Sequence, residues 1–163
     1  MGFEEFAAAR LPALLRYAVL LTGDRDGARD VVQEALARAL VRWRRIEAME
    51  EPYAYVRKIV TNEYLAGRRR RRPQTVPLDP DGPALPDPTS AVDDREHLWR
   101  LLATLPHQQR AVLVLRYYEG LADLEIADVL GCRPGTVRGY ASRALATLRI
   151  DLGDLATSKG SAK

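Results

Sequence analysis

A set of basic, hydroxyl-bearing and aromatic side chains recurs near the C-terminal end of this 163-residue chain. No acidic residue interrupts the set before Asp151. A solvated face of an ordinary helix bundle would mix both signs of charge, whereas a one-sided basic face favours a phosphate-lined partner. The chemistry indicated is recognition of a nucleic acid, and a basic surface helix of a bundle is the alternative. The residues are Arg133, Thr136, Arg138, Tyr140 and Arg143.

Two short amphipathic helices, predicted between Leu121 and Leu148, would position these side chains. Gly131 can end the first helix in a left-handed conformation, and Pro134 suits the first turn of the second. This pattern predicts a helix-turn-helix whose second helix enters the DNA major groove. The residues expected to face inward are Leu124, Ile126, Ala127 and Leu130 in the first helix and Val137, Ala141, Ala144, Leu145 and Leu148 in the second.

The composition argues against several kinds of site. Cys132 is the only cysteine, and His97 and His107 are the only histidines, so neither a disulfide nor a zinc cluster is expected. No apolar run reaches the roughly 18 residues of a transmembrane helix. The opening sequence MGFEEF lacks a basic region before an apolar one, so no secretory signal is expected. We therefore expect a cytoplasmic protein with no cofactor, no metal and no membrane insertion.

The charge is distributed unevenly along the chain. Residues 1–72 carry a net +5, residues 73–94 a net −5 with six prolines and five aspartates, and residues 95–149 a net +3. A proline- and aspartate-rich stretch cannot build a core, which predicts an extended linker. The expected fold is all-α, with two small helical domains at 1–72 and 95–152, a linker at 73–94 and a disordered tail at 153–163.

The first domain shows three helical patterns. The first covers residues 2–21, where Pro12 is expected to kink the helix or start a new one. Asp24 or Asp26 can cap the second helix, and Pro52 opens the third. In the second domain, a helix over 95–104 is followed by one from Pro106 to Gly120, so four helices are expected there.

The third helix is predicted to expose basic and aromatic side chains together, and it ends in five successive arginines. A single-stranded nucleic acid site needs such a mixture, because nucleobases stack on aromatic rings while arginines hold phosphates. A basic tail that only aids solubility is the alternative, and aromatic residues at helical spacing also fit a core. The exposed side is expected to hold Arg57, Lys58, Asn62 and Tyr64, before Arg68 to Arg72.

Together these segments resemble the extracytoplasmic-function sigma factors of bacterial RNA polymerase, which belong to the sigma-70 superfamily, and most closely their actinobacterial sigma-E-like branch. The resemblance covers both domains and leaves the linker and tail unmatched. It is carried by LTGDRDGARDVVQEALARAL at 21–40, PYAYVRKIVTNEYLAGRRRRR at 52–72 and LPHQQRAVLVLRYYEGLADLEIADVLGCRPGTVRGYASRALATLR at 105–149.

The resemblance implies partners and a role for each site. The partners are core RNA polymerase and promoter DNA, and whether an anti-sigma factor binds is left open. Asp30, Gln33 and Glu34 would dock on the coiled coil of the β′ clamp, and the helix-turn-helix set would read the −35 duplex and touch the β flap. At the −10 element a base would be flipped and captured. The implied −10 residues are Trp43, Arg57, Lys58, Asn62, Tyr64, Arg68 and Arg69.

Two positions depart from the family pattern. Ala122 stands where a serine cap is common, so Asp123 is expected to cap the next helix instead, and Arg133 replaces a small capping residue.

A stand-alone helix-turn-helix regulator is the alternative function, although it leaves the first domain unexplained. An enzyme is not expected, because neither histidine has a nucleophile or metal spacing and no phosphate-binding glycine loop is present.

Overall fold

The computed structural model describes the backbone of residues 1–70 and 91–160 and the side chains of 1–67 and 97–149. The chain divides into two compact units, Met1–Leu85 and Pro86–Lys163. The described parts of both are helical and contain no strand, so the all-α prediction is confirmed. None of the described helices is long and apolar enough to cross a membrane.

The described part of the first unit contains four helices, which are α1 (Phe3–Thr22), α2 (Arg25–Val41), α3 (Trp43–Glu47) and α4 (Pro52–Arg70). Gly23 ends α1 in the left-handed conformation with φ 76°, which glycine adopts without steric cost. Asp24 then caps α2, because its carboxylate accepts from the backbone N–H groups of Asp26 and Gly27 at 3.1 and 3.0 Å. Helix α1 runs unbroken through Pro12, so that residue does not start a new helix.

The core of the first unit lies where α2 and α4 pack on α1. The apolar positions predicted at helical spacing are mostly buried there, and the short α3 adds Ile46. Burial of such side chains is the main favourable term in folding. The fully buried large side chains are Tyr17, Leu14, Leu21, Ile46, Val32, Val56, Val60 and Thr61.

The second unit also contains four described helices, which are α5 (Ala91–Ala103), α6 (His107–Leu113), α7 (Asp123–Leu130) and α8 (Pro134–Gly160). A π-helical turn, Val114–Tyr118, continues α6. Gly131 ends α7 with φ 67°, and its N–H donates to the carbonyl of Ala127. The predicted helix-turn-helix is therefore formed by α7 and α8, with Val137, Ala141 and Ala144 buried against α6 and α7.

Several local predictions for the second unit were wrong. Leu124 is 73% exposed, and Val129 is buried in its place, because the packing of α7 turns its first residues outward. The helix predicted to run from Pro106 to Gly120 changes to π geometry, since the N–H of Glu119 bonds to the carbonyl of Val114. Ala122 rather than Asp123 occupies the N-cap of α7.

The predicted boundaries also differ from the helices. Helix α8 continues to Gly160, although the sequence predicted a tail without structure from residue 153. Helix α5 begins at Ala91, inside the predicted linker 73–94. The remainder of that linker, and residues 161–163, lie outside the described residues.

Candidate nucleic-acid and polymerase interfaces

The exposed face of α8 carries most of the side chains predicted to read duplex DNA. Arg133, Thr136, Arg138 and Arg143 are exposed, and Tyr140 is half-buried. The guanidinium of Arg143 lies 5.5 Å from the ring centre of Tyr140, and its Nε donates to the carbonyl of Gly139 at 3.2 Å. The structure therefore places Thr136, Arg138, Tyr140 and Arg143 on the N-terminal half of α8, and Arg133 directly before its first residue.

Two glycines lie between these arginines and leave part of the α8 surface without side chains. A Cβ atom at Gly135 would lie 3.8 Å from the terminal nitrogen of Arg138, which is ordinary contact. A Cβ atom at Gly139 would lie 3.2 Å from the terminal nitrogen of Arg143. The extended guanidinium of Arg143 thus occupies space that any larger residue at position 139 would enter.

The start of α7 is held by charge rather than by a hydroxyl cap. The guanidinium of Arg116, on the π-helical turn, forms an ion pair with Asp123, and this carboxylate raises the pKa of Arg116. The side chain of Glu125 accepts from the backbone N–H of Ala122 at 3.1 Å, which is half of a capping box. The ion pair holds the start of the first helix of the helix-turn-helix against the π-helical turn. In the turn beside it, burial raises the pKa of the Cys132 thiol.

A groove of about 400 Å³ lies between the C-terminal half of α2 and the outer side of α4. Arg38 spans it, with its Nε 2.8 Å from a carboxylate oxygen of Glu63 and 3.5 Å from one of Glu34. Arg42 and Lys58 add positive charge, while apolar and aromatic side chains complete the wall. The lining residues are Arg38, Val41, Arg42, Tyr55, Lys58, Ile59, Asn62 and Glu63.

This groove brings together only part of the predicted −10 set. Lys58 and Asn62, one helical turn apart on α4, both line it. Helix α4 includes Arg68 and Arg69, but their side chains lie outside the described residues. The remaining three members, Trp43, Arg57 and Tyr64, are not exposed.

The burial of these three residues corrects the prediction. Trp43 is 8% exposed, packs against Phe3 and Phe6 with ring centres 5.6 and 4.9 Å away, and donates from Nε1 to the carbonyl of Met1. Tyr64 is 2% exposed and Arg57 8%. Trp43 and Tyr64 belong to the core, so neither ring offers a face to a nucleic-acid base in this structure.

The groove also contains residues that the sequence did not single out for nucleic-acid binding. Arg38 lies in the last turn of α2 and Arg42 directly after it, where positive charge also suits the C-terminal end of a helix dipole. Their spacing of four residues, on one side of α2, was the available signal. Tyr55 is half-buried and lines the groove, whereas Tyr64 of the same helix is buried, a difference that only the structure shows.

A second exposed surface runs along α2. Asp30, Gln33 and Glu34 are exposed, as predicted for a binding face. The face continues through exposed Ala37 to Leu40 and Val41, which are 55% and 86% exposed. We call these six residues the α2 stripe. Their helical spacing forms one continuous strip, acidic and polar at its start and apolar at its end.

Comparison with known proteins assigns a family to both units. Residues 6–74 match the family described as Sigma-70 region 2, and residues 95–148 match Sigma-70, region 4. The RNA polymerase sigma-E factor of Streptomyces coelicolor is 40% identical over 154 residues, which cover 93% of this chain and 86% of that protein. The chain belongs to the sigma-70 family.

Further relatives place it in the extracytoplasmic-function group. The ECF RNA polymerase sigma factor SigL of Mycobacterium tuberculosis strain H37Rv is 34% identical over 166 residues, covering 96% of this chain and 90% of that protein. Among solved structures, the sigma factor RpoE from Bartonella quintana, crystallised with the anti-sigma factor NepR, superposes with a TM-score of 0.71 at 26% identity. That match covers 93% of this chain and 96% of the other.

As a sigma factor, the chain is a promoter-directing subunit of RNA polymerase. Region 2 contains the α2 stripe and the groove between α2 and α4, while region 4 contains the helix-turn-helix. The match to region 2 accounts for the first domain, which a stand-alone helix-turn-helix regulator would leave unexplained. Within the described residues, no group of three or more His, Cys, Asp or Glu side chains could hold a metal ion.

Proposed function

We propose that the groove between α2 and α4 receives the exposed strand of the −10 element, while α8 reads the −35 duplex. The observation that carries this proposal is the meeting of Lys58 and Asn62 with Arg38 and Arg42 in one groove. The chain would act in the cytoplasm and select promoters, and the catalytic activity would belong to the polymerase. The same chemistry would be required of any alternative sigma factor with two regions.

The lining of the groove suits a strand rather than a duplex. Arginine and lysine can hold phosphates, and the ring of Tyr55 with Ile59 offers an apolar wall for a base. The amide of Asn62 can both donate to and accept from a base edge. A volume of about 400 Å³ falls within the roughly 300–1,000 Å³ of small-ligand pockets, so one nucleotide can enter.

The set on α8 suits a duplex. Arg138 lies close to the start of the helix, where base edges are usually reached, and Arg143 lies more than a turn later. We therefore assign Arg138 to a base, with guanine as the best acceptor, and Arg143 to a phosphate. The side chain of Arg143 lies along the helix surface, with its Nε donating to the carbonyl of Gly139, and this position is compatible with a contact to a DNA phosphate. Region 4 would also meet the β flap of the polymerase.

The α2 stripe suits a helical partner, because it is a single narrow strip with an apolar end. Its acidic start, Asp30 and Glu34, would meet basic residues of the β′ clamp coiled coil. Glu34 already pairs with Arg38 at 3.5 Å, and such an exposed pair costs little to rearrange. Leu40 and Val41 would supply apolar area that is exposed in the free protein.

Binding of a −10 non-template oligonucleotide to the reconstituted holoenzyme tests the groove. Lys58→Ala, Asn62→Ala and Arg42→Ala should each weaken binding, because each removes a charge or hydrogen-bonding group from the lining. Arg16→Ala is the matched control, since Arg16 is an exposed arginine of α1 outside the groove. Groove variants that bind the strand as well as Arg16→Ala does would contradict the assignment.

A further inference from the structure

A line of polar contacts crosses the core between α1 and α4 and helps to hold α4 in place. The hydroxyl groups of Tyr17 and Thr61 lie 2.6 Å apart, and both residues are fully buried. The Thr61 hydroxyl also donates to the carbonyl of Arg57 at 2.8 Å. Threonine has a single hydroxyl proton, so Tyr17 must be the donor to Thr61.

A second contact continues this line toward the start of α4. The guanidinium carbons of Arg10 and Arg57 lie 5.1 and 5.5 Å from the ring centre of Tyr53. Cation–π attraction at these distances strengthens when the cation is shielded from water, and Arg57 is only 8% exposed. Tyr53, Arg57 and Thr61 are spaced four residues apart on α4, so they share one side of the helix.

We call these five residues the polar seam. Its members on α1, Arg10 and Tyr17, are seven residues apart and therefore also share a side of their helix. The seam thus joins two matching faces at two levels, one half-exposed at Tyr53 and one fully buried at Thr61.

Directional contacts of this kind fix the axial position and rotation of α4 against α1 more narrowly than apolar contacts do. A slip of α4 by one residue moves it about 1.5 Å and turns it about 100°. Either change would break the buried hydrogen bond between Tyr17 and Thr61, the polar contact that joins the two helices at this level. Buried polar contacts are known to specify register in this way in other helical systems.

The position of α4 affects the groove because the seam residues and the groove residues are neighbours on this helix. Lys58 and Asn62 each follow a seam residue directly, Arg57 and Thr61 respectively. We propose that the polar seam is a positioning device that sets how α4 presents Lys58 and Asn62, and hence how sharply the protein discriminates between −10 sequences. This inference rests on the proposed −10 function of the groove. Arg57 acts in it as a positioning residue, in place of the direct DNA contact expected from the sequence.

The test uses substitutions that preserve shape, namely Tyr17→Phe, Thr61→Val and the double variant in the full chain. The measured quantity is the ratio of holoenzyme affinities for a consensus −10 strand and for strands with one base changed. We expect this ratio to fall by about three- to tenfold, the range that corresponds to one buried hydrogen bond. Affinity for core polymerase should be unchanged, because the α2 stripe is untouched.

A ratio of affinities separates positioning from plain stability, since loss of folded protein lowers both affinities equally. Thr147→Val is the matched control, because its hydroxyl makes the same kind of bond, to the carbonyl of Arg143 at 3.1 Å, on α8. That variant should leave the −10 ratio unchanged. If the double variant does not fold, Tyr17→Phe alone gives the answer, since it removes one oxygen atom.

Lys58→Ala and Asn62→Ala measured alongside distinguish the two proposals. If both keep full discrimination, the −10 function of the groove is wrong, and the seam has nothing to position. If they lose discrimination while Tyr17→Phe and the double variant keep it, the groove stands and the seam inference is overturned. Reduced discrimination in both sets supports both.

Discussion

Val41→Ala is the sharpest test of the α2 stripe. Val41 is 86% exposed at the end of α2, so its side chain contributes almost nothing to the core of the free protein. The substitution removes the equivalent of two methylene groups, about 0.8 kcal/mol each when buried. Scaled by the exposed fraction, full burial against the polymerase would be worth about 1.4 kcal/mol, which is about tenfold in Kd.

The assay is an equilibrium titration of core RNA polymerase with labelled protein in the absence of DNA. Omitting DNA matters because Val41 also lines the groove. Leu11→Ala is the control, since Leu11 is an exposed apolar residue of α1 that lies off the stripe. The thermal midpoint of Val41→Ala should stay close to that of the parent, because alanine is the better helix former.

A Kd for core polymerase that is the same for Val41→Ala, Leu11→Ala and the parent protein would refute the reasoning. In that case the binding face would end before the apolar part of the stripe. A loss much greater than tenfold would also disagree with the calculation, because it would require Val41 to act by more than its own buried area.

Four further predictions concern the acidic start of the α2 stripe, the arginines and glycines of α8, and Cys132. Charge reversal at Asp30 and Glu34 together should weaken core binding without changing the circular dichroism spectrum, as both side chains are exposed. Arg138→Ala should cost about 1–3 kcal/mol of binding free energy and relax the base preference at one −35 position. Arg143→Ala should weaken binding to all −35 sequences alike and reduce the slope of log K against log salt by about one unit. Competition binding at several salt concentrations measures both effects. Gly139→Ala should raise the free energy of unfolding by up to about 1 kcal/mol in denaturant titration, because alanine loses less conformational freedom in a helix than glycine. The same variant should weaken −35 binding, because the new Cβ atom crowds the Arg143 guanidinium, whereas Gly135→Ala should crowd no side chain. Cys132 should be alkylated more slowly in the folded than in the unfolded protein near pH 8, because burial raises its pKa and lowers the thiolate fraction. For the same reason the alkylation rate of the folded protein should keep rising at more alkaline pH. Equal rates for the folded and unfolded protein near pH 8 would contradict this prediction.

Local signals in the sequence were reliable where a residue acts on its own backbone. Gly23 and Gly131 end helices because both adopt positive φ, and Asp24 caps α2 through its own carboxylate. These outcomes depend on a few neighbouring residues, so a single sequence contains the information. The helix-turn-helix and the all-α class followed from the same kind of signal, namely turn glycines and apolar spacing.

Arg57, Tyr64 and Leu124 show where local signals failed. Periodicity gives the side of a helix on which residues group, but neighbouring helices decide how wide the buried sector is. Helix α4 is covered by both α1 and α2, so its buried sector takes in Arg57 and Tyr64. Helix α7 packs on α8 and the π-helical turn with Ile126, Ala127 and Val129 buried, and Leu124 lies outside that buried sector and remains in solvent.

The sequence by itself determined most of the helices, the basic face of α8 and the family to which the chain belongs, because each depends on residue type and spacing within one segment. Only the tertiary structure decided that Arg38 and Arg42 of α2 share a groove with Lys58 and Asn62 of α4, and that Tyr17 bonds to Thr61. These pairings join residues 16 to 44 positions apart. They arise because the apolar faces of α1, α2 and α4 are buried against one another, which brings residues distant in the sequence side by side.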